Sequence, residues 1–446
     1  MKKNILIILF YILFLSIYAQ SGGDLTGSLI FDLQQEHVHG PTIVQLPDGS
    51  FLAAWFQGSG ERWADDVRIM GSRLSSQGRE WSSPFLMADV PGFPDINPVL
   101  FLDQKDRLWL MWYPVIANQW DSSLPMYRIS EDFLHSGPPI WYWQDILFVK
   151  PGDKTERGIQ DNDRFVRNVH EQLNAYEQYL KEDLLAQIDG MEKAVYLSQW
   201  EIYKHKMDSL ARGKDMVRKG VDYANAQQKD AQLGYPLTRR LGWQTKNKPV
   251  FVRDRLIVPL YSDGLDCTLF AITEDHGATW KYSNPVLGGA GIQATIAKIN
   301  DQNLVAYLRD NGPQPKLMQR TQSFDGGLSW TIAKDNHLPN PGSGFDMTTL
   351  ENGDWIIVFN DQQEGRQNLT VALSDDHGRS WIWKKHIEND TRDERGTFSH
   401  YPAVIEGADH HIHVVYSFHH RDRKDQKAKS IKYVRFPLSW IKSASE

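Results

Sequence analysis

Cysteine is almost missing from this 446-residue chain, where Cys267 stands alone. A single thiol excludes a disulfide framework and any zinc cluster built on cysteines. Basic residues are not in excess either, with 49 Lys and Arg against 56 Asp and Glu and a formal net charge of −7. That balance excludes a general nucleic-acid binder, which needs a basic face to lay on phosphates. No apolar run after the first twenty residues is long enough to cross a bilayer as a helix. Phosphate-cradling glycine loops, dinucleotide fingerprints and a serine nucleophile elbow are absent too. No cofactor and no resident metal is therefore expected.

What is present is a globular composition, 41% hydrophobic, 24% charged and 12% aromatic. This is too rich in core-forming side chains for a disordered chain. At the N-terminus Lys2 and Lys3 precede an apolar run, Ile5 to Leu15, and then small residues up to Ala19. That order is a secretory signal over residues 1–19, cleaved after Ala19, and it implies a periplasmic or secreted protein.

The rest of the chain repeats itself. Thr273 to Trp280, Ser323 to Trp330 and Ser374 to Trp381 share the pattern Ser/Thr-x-Asp-x-Gly-x-x-Trp, with tryptophans about fifty residues apart. Ser72 to Trp81 is a degenerate copy that has lost its Asp. Between the boxes a pair of apolar strands recurs, starting near Pro41, Pro98, Pro249, Ala294, Met347 and Pro402. Strand pairs around Asp-Gly, Asn-Gly or Asp-Gln turns read as hairpins, and six such units spaced as here predict an all-β, six-bladed propeller over residues 28–446. Leu29 to Leu33 is expected to close the ring by adding the outer strand of the last unit. One stretch, residues 145–242, breaks the period. Phe165, Val169, Leu173, Tyr176, Leu180, Leu184, Ile188 and Met191 fall at helical steps, Trp200 to Leu210 continue after Gly190, and a shorter helix is expected over about 214–232. This is a helical hairpin inserted at blade two, its apolar stripe a packing face.

The repeated box resembles the Asp box of the sialidase superfamily. The whole pattern is similar to bacterial sialidase-like proteins, through Gly40-Pro-Thr-Ile, Ala64-Asp-Asp-Val-Arg-Ile69, Asn247-Lys-Pro-Val250, Arg309-Asp-Asn-Gly, Leu338 to Gly344 and Ser399-His-Tyr-Pro-Ala-Val404. The resemblance implies a propeller whose boxes are structural turns, here Asp275 with Trp280, Asp325 with Trp330 and Asp376 with Trp381, remote from the mouth. It also implies a glycan substrate held by three arginines, a tyrosine nucleophile helped by a glutamate, and an aspartate acid/base. Tyr401 matches the nucleophile, Asp65 or Asp66 the acid/base, and Arg309 one clamp arginine. The departures are His39-Gly40-Pro41 in place of the first arginine, Gln293 in place of the helper glutamate, and no third arginine near Asp346.

Inner strands of a propeller begin at one rim and converge on the axis, which nominates His39, Asn97, Lys248, Gln293, Asp346 and Tyr401. The loops at that rim add Glu61, Arg62, Asp65, Asp66, Asp263, Arg309, Asp361 and His419, and His400 precedes Tyr401. Three functions fit. One is an exo-acting glycoside hydrolase of sialidase-like type on a terminal acidic sugar, with Asp65 or Asp66 opposite Tyr401 or Asp346. Glutamine cannot take the tyrosine's proton, so this would not be ordinary sialidase chemistry. Another is a polysaccharide lyase acting on uronic acids, with His39, His400 or Tyr401 as base and Arg309 or Lys248 neutralising the carboxylate. A third is a non-catalytic propeller stacking sugars on Trp55, Trp63, Trp120 and Trp243. Separately, His410 to His413 alternate along a strand start, an arrangement that can meet a metal but more simply reads as a polar turn.

Overall fold

The computed structural model describes residues 24–154, 159–186, 188, 190–213, 237–312, 314–390, 396–421 and 427–443. The signal segment 1–19 and the helix expected over 214–232 lie outside them. The strands form six four-stranded antiparallel sheets, the six blades of a propeller. Blade six consists of Gly396–Glu406, His411–Arg421 and Lys427–Pro437, completed by the N-terminal strand Thr26–Leu29. Thr26 pairs with Arg435 and Leu29 with Lys432, so closure comes from the expected segment, a few residues earlier than its apolar run suggested.

Alternation along the strands is weak because both faces of each blade are covered by neighbours. The second strands of blades one and two, Phe51–Gly58 and Leu108–Pro114, are buried along their whole length. The Asp boxes then lock blade to blade. In the blade-four box, Asp325 accepts the amides of Leu328 and Ser329 at 3.0 and 2.9 Å and the Ser323 hydroxyl at 2.8 Å. Gly327 sits at φ 86°, where a Cβ would lie 2.4 Å from Ile257 of blade three. Trp330 stacks at 4.1 Å on Phe270, also of blade three. The other boxes repeat this on the preceding blade: Trp280 against Tyr127, Trp381 against Tyr307, and the degenerate box's Trp81 against Tyr433 of blade six. The lost Asp therefore cost blade one its turn clamp but not its plug.

The insertion leaves after Trp143–Ile146, the outer strand of blade two, and returns before Val250–Val252, the first strand of blade three. Its helices are Arg164–Tyr179, extended by a single wide turn to Leu184, and Gly190–Ala211. The apolar stripe does not run through as one helix: the chain breaks before Gly190, and Met191 is 86% exposed. Phe165, Val166, Val169, Leu173, Trp200 and Met207 pack with Trp109, Leu256 and Leu269 of blades two and three. Arg239 fastens the insertion. Fully buried with Asp163, it donates to that carboxylate at 2.8 Å and to the Ala211 carbonyl at 3.2 Å. Asp163 in turn caps the first helix through the amides of Phe165 and Val166. Arg239→Ala leaves a buried carboxylate short of its counter-charge and should cost about 3–5 kcal/mol. The measurements are the thermal midpoint and the rate at which protease cuts the insertion.

Candidate functional site

The central cavity is built by a repeated backbone irregularity. The inner strands of blades one, two, four and six each carry a bulge, between His39 and Thr42, Ile96 and Val99, Ile292 and Thr295, and His400 and Ala403. At each bulge one residue takes a positive φ: Gly40 at 60°, Asn97 at 47°, Gln293 at 52° and Tyr401 at 55°. Pro41, Pro98 and Pro402 follow three of them, at positions where the broken ladder asks for no N–H. The bulges bring Asn97, Gln293 and Tyr401, together with His39, to the axis. At Gly40 a side chain is not possible, because a Cβ would lie 2.7 Å from the Asn97 carboxamide oxygen.

The cavity, about 340 Å³, is lined by His39, Asn97, Gln293, Arg309 and Tyr401 from the sequence-derived set, with Glu61, Trp120 and Asp263 from the rim loops. Ile96, Tyr113, Tyr261, Gln244, Asn311 and Arg366 complete it, all missed in the sequence. The strand register shows where the signal lay. Tyr113 stands opposite Ile96, just before the blade-two bulge, and Arg309 stands opposite Ile292, just before the blade-four bulge. In blades two and four the residue across from the bulge is thus a site position, whereas in blades one and six the opposite residues, Phe56 and Ser417, lie outside the lining. Arg366 carries no such signal, lying in the loop between the second and third strands of blade five.

A hydrogen-bond network runs across the floor. Asn97 Nδ2 donates to the Tyr113 and Tyr261 oxygens at 3.0 and 3.3 Å, and Gln293 Nε2 donates to those of Tyr261 and Tyr401 at 3.2 and 3.4 Å. Arg309 Nη1 donates to Tyr401 at 2.7 Å and to Gln293 Oε1 at 3.2 Å. Around the Tyr401 ring stand three cations, with Lys246 Nζ at 5.4 Å, Arg366 Cζ at 5.6 Å and Arg309 Cζ at 5.9 Å from its centroid. Burial lowers Lys246 to about 8, Asp346 opposing and Lys248 and Arg309 adding to the shift. Beside Arg309, the arginine that the sequence nominated, the structure places a second guanidinium, Arg366, and the Lys246 ammonium.

Two acids complete the cavity. Burial raises Glu61 above the ordinary carboxylate range despite Arg62 and Arg366, and raises Asp263 despite Arg309 and a 3.0 Å hydrogen bond from Gln244. Burial also holds His39 well below its ordinary value, reinforced by His400.

Several expected residues lie elsewhere. Asp65 and Asp66 are exposed outside the cavity lining, Asp65 accepting from Asn118 and Asp66 from the Ser59 amide and hydroxyl. A turn ending in consecutive exposed residues aims them at solvent, so Glu61, earlier in the same loop, takes the inner place. Asp346 is 1% exposed and ties three blades, accepting from Thr295 Oγ1 at 3.0 Å and the Val404 amide at 2.9 Å and pairing with Lys248. Lys248 is thereby occupied. Arg62 packs over Trp63 and Trp120 at the rim, and His400 is buried beside His39 and His419. His413 is engaged at both nitrogens, by Tyr433 and Asp409, which makes it part of a polar turn. Asp346→Ala strands the Lys248 ammonium and an interior amide, and is expected to lower unfolding free energy by about 3 kcal/mol. Denaturant unfolding would read this directly, and an unchanged midpoint would remove Asp346 from the scaffold.

A profile described as BNR repeat-like domain matches residues 49–141 and 238–414. The anhydrosialidase of Macrobdella decora is 29% identical over 154 residues, which is 30% of this chain and 19% of that protein. The chain thus matches about a fifth of that relative's length. Among solved structures, the Hadza microbial sialidase Hz136 superposes with a TM-score of 0.57 at 15% identity, covering 93% of this chain and 68% of the sialidase. A protein of unknown function from Dyadobacter fermentans DSM 18053 gives 0.60 at 12% identity, over 92% and 99% of the two chains. At these identities the structural likeness is one of fold.

Proposed function

The chain belongs to the BNR repeat-like family of sialidase-like six-bladed propellers, and from that premise we propose that it is an exo-acting glycoside hydrolase cleaving a terminal acidic sugar from a glycan. The observation that carries this reading is the convergence of Arg309, Arg366 and Lys246 on Tyr401 in a cavity that also holds the half-buried acids Glu61 and Asp263. Guanidiniums grip a carboxylate through paired N–H groups, which fixes the sugar's orientation as well as its charge. The cavity is small enough to enclose a single sugar unit, which suits a chain end.

Glu61 is the general acid of this proposal, because burial keeps its proton to higher pH than usual. It protonates the leaving oxygen as the glycosidic bond breaks. Asp263 takes the proton of the water that adds to the anomeric carbon, so each proton has a donor and an acceptor. Tyr401 stands among cations, its hydroxyl hydrogen-bonded to no carboxylate among the described residues, and its role is to hold the sugar carboxylate with Arg309. We also propose that the protein works outside the cytoplasm, supported by the N-terminal signal pattern. Among the described residues no helix is long and apolar enough to cross a membrane.

Purified protein offered aryl glycosides and oligosaccharides with terminal acidic sugars should release a reducing sugar. Glu61→Gln should lower kcat by about 10²–10⁴-fold, and Arg366→Ala should raise KM by about tenfold or more with a smaller effect on kcat. Full activity in Glu61→Gln would overturn the assignment. Lys246 loses its charge as pH rises through about 8. KM for the acidic sugar should therefore climb above that pH, and the climb should vanish in Lys246→Met.

One observation favours a second reading. Neutral His39 lies with its ring 4.1 Å from that of Tyr401, a base beside a carboxylate clamp. In a lyase, His39 would take the proton α to a uronate carboxylate while the leaving oxygen departs and a carbon–carbon double bond forms. An ultraviolet-absorbing unsaturated product, lost in His39→Ala and retained in Glu61→Gln, would select it.

A further inference from the structure

Beside the cavity the structure gathers histidines that the proposed hydrolysis leaves unused. His39 comes from the blade-one bulge, His400 from the blade-six bulge, and His419 from the second strand of blade six. One ring nitrogen from each lies within 4.8 Å of the others. The rings meet at centroid distances of 4.8 Å for His39 and His400, and 4.6 Å for His400 and His419.

Packing alone does not account for this cluster. Interior polar atoms are normally paired, yet His400 is 5% exposed and its Nδ1 has no hydrogen-bond partner. Among the described residues no carboxylate pairs with any of the three rings. Their other contacts are those that orient metal-bound imidazoles. His419 Nε2 donates to the Val38 carbonyl at 3.0 Å, which leaves the Nδ1 lone pair available. His39 Nδ1 meets the Ser417 hydroxyl at 2.8 Å, the same oxygen that accepts the Gly40 amide at 3.1 Å, and this leaves Nε2.

We propose that His39, His400 and His419 form a binding site for a divalent transition-metal ion, best suited to zinc, with an open fourth position toward the cavity that His39 lines. Three imidazoles and an open position fit zinc, whereas calcium and magnesium demand oxygen ligands. Zinc–nitrogen bonds of about 2.0–2.1 Å place tetrahedral donors about 3.3 Å apart, so the rings must draw together, and His400 has no Nδ1 hydrogen bond to surrender. Arg366 and Lys429 face the cluster, and Lys429 donates to His37 Nδ1 at 2.7 Å. Both oppose a bare dication. The site therefore takes its metal together with an anion in the fourth position, and Glu61, which also feels Arg366 and Lys429, lines the same cavity as His39.

The test is metal content, which does not depend on any glycan activity. Untagged full-length protein is equilibrated with zinc chloride, dialysed and analysed by mass spectrometry, with cobalt(II) chloride as a visible-absorption probe. The wild type should retain about one equivalent and give the intense visible bands of tetrahedral cobalt. His400→Ala and His419→Ala should weaken binding at least about tenfold and lose those bands, while His411→Ala, on a distant turn, should bind as the wild type does. Circular dichroism checks folding, and His400→Gln and His419→Gln replace any alanine variant that does not fold. No retained metal in the wild type, or undiminished binding in both histidine variants, would overturn the site.

Discussion

The site depends on a constraint in the backbone: four inner strands must each accept a left-handed residue where their ladder breaks. Regular strands would send alternate side chains into the two blade faces and leave the axis poorly served. The bulge re-aims the chain at the rim. Glycine and asparagine take this conformation readily, but glutamine and tyrosine do not, and strain of about 1–3 kcal/mol at such residues persists only where surroundings over-determine it. Here the surroundings do. Gln293 and Tyr401 are held by each other, by Tyr261 and by Arg309.

Rigidity for that strain comes from blade-to-blade packing. Each box tryptophan sits on the preceding blade, and Asp346 joins blades four, five and six from inside. The acids of the chain divide by environment accordingly. Hydrogen bonds from Thr279 hold the exposed Asp275 down at about 2, and those from Ser380 do the same for Asp376. Such carboxylates are anchors and give up no proton near neutrality. Burial drives Glu61 and Asp263 the other way, toward the acid–base range.

The ring was legible because it is periodic. Box tryptophans about fifty residues apart, and hairpins between them, count out the blades. Residues fixed by strand starts, namely His39, Asn97, Gln293 and Tyr401, were legible for the same reason. Arg366 was not singled out, and Glu61 was named only as one of several rim-loop residues without a role, because loops carry no period and a loop's inward residue is set by its turn geometry. Asp65 and Asp66 had the right chemistry for an acid/base but the wrong side of a turn. Asp346 had the right strand position, yet without a bulge in blade five its side chain stays within the sheet packing. The insertion's face was readable from its spacing, its break before Gly190 was not, because helical steps continue across it.

Gln293 stands where the sialidase resemblance implies a glutamate. A glutamate there would accept the tyrosine's proton, but it could only accept hydrogen bonds when ionised. Gln293 donates through Nε2 to both Tyr261 and Tyr401 and accepts from Arg309 through Oε1. A carboxylate would lose both donations and draw Arg309 into an ion pair, removing it from Tyr401 and from any incoming anion. The amide leaves the full positive charge of Arg309 facing the cavity, beside Arg366 and Lys246. Under the proposed function, charge that a sialidase-like pattern would spend on activating its tyrosine is kept for the substrate's carboxylate, and proton transfer falls to Glu61 and Asp263 at the rim.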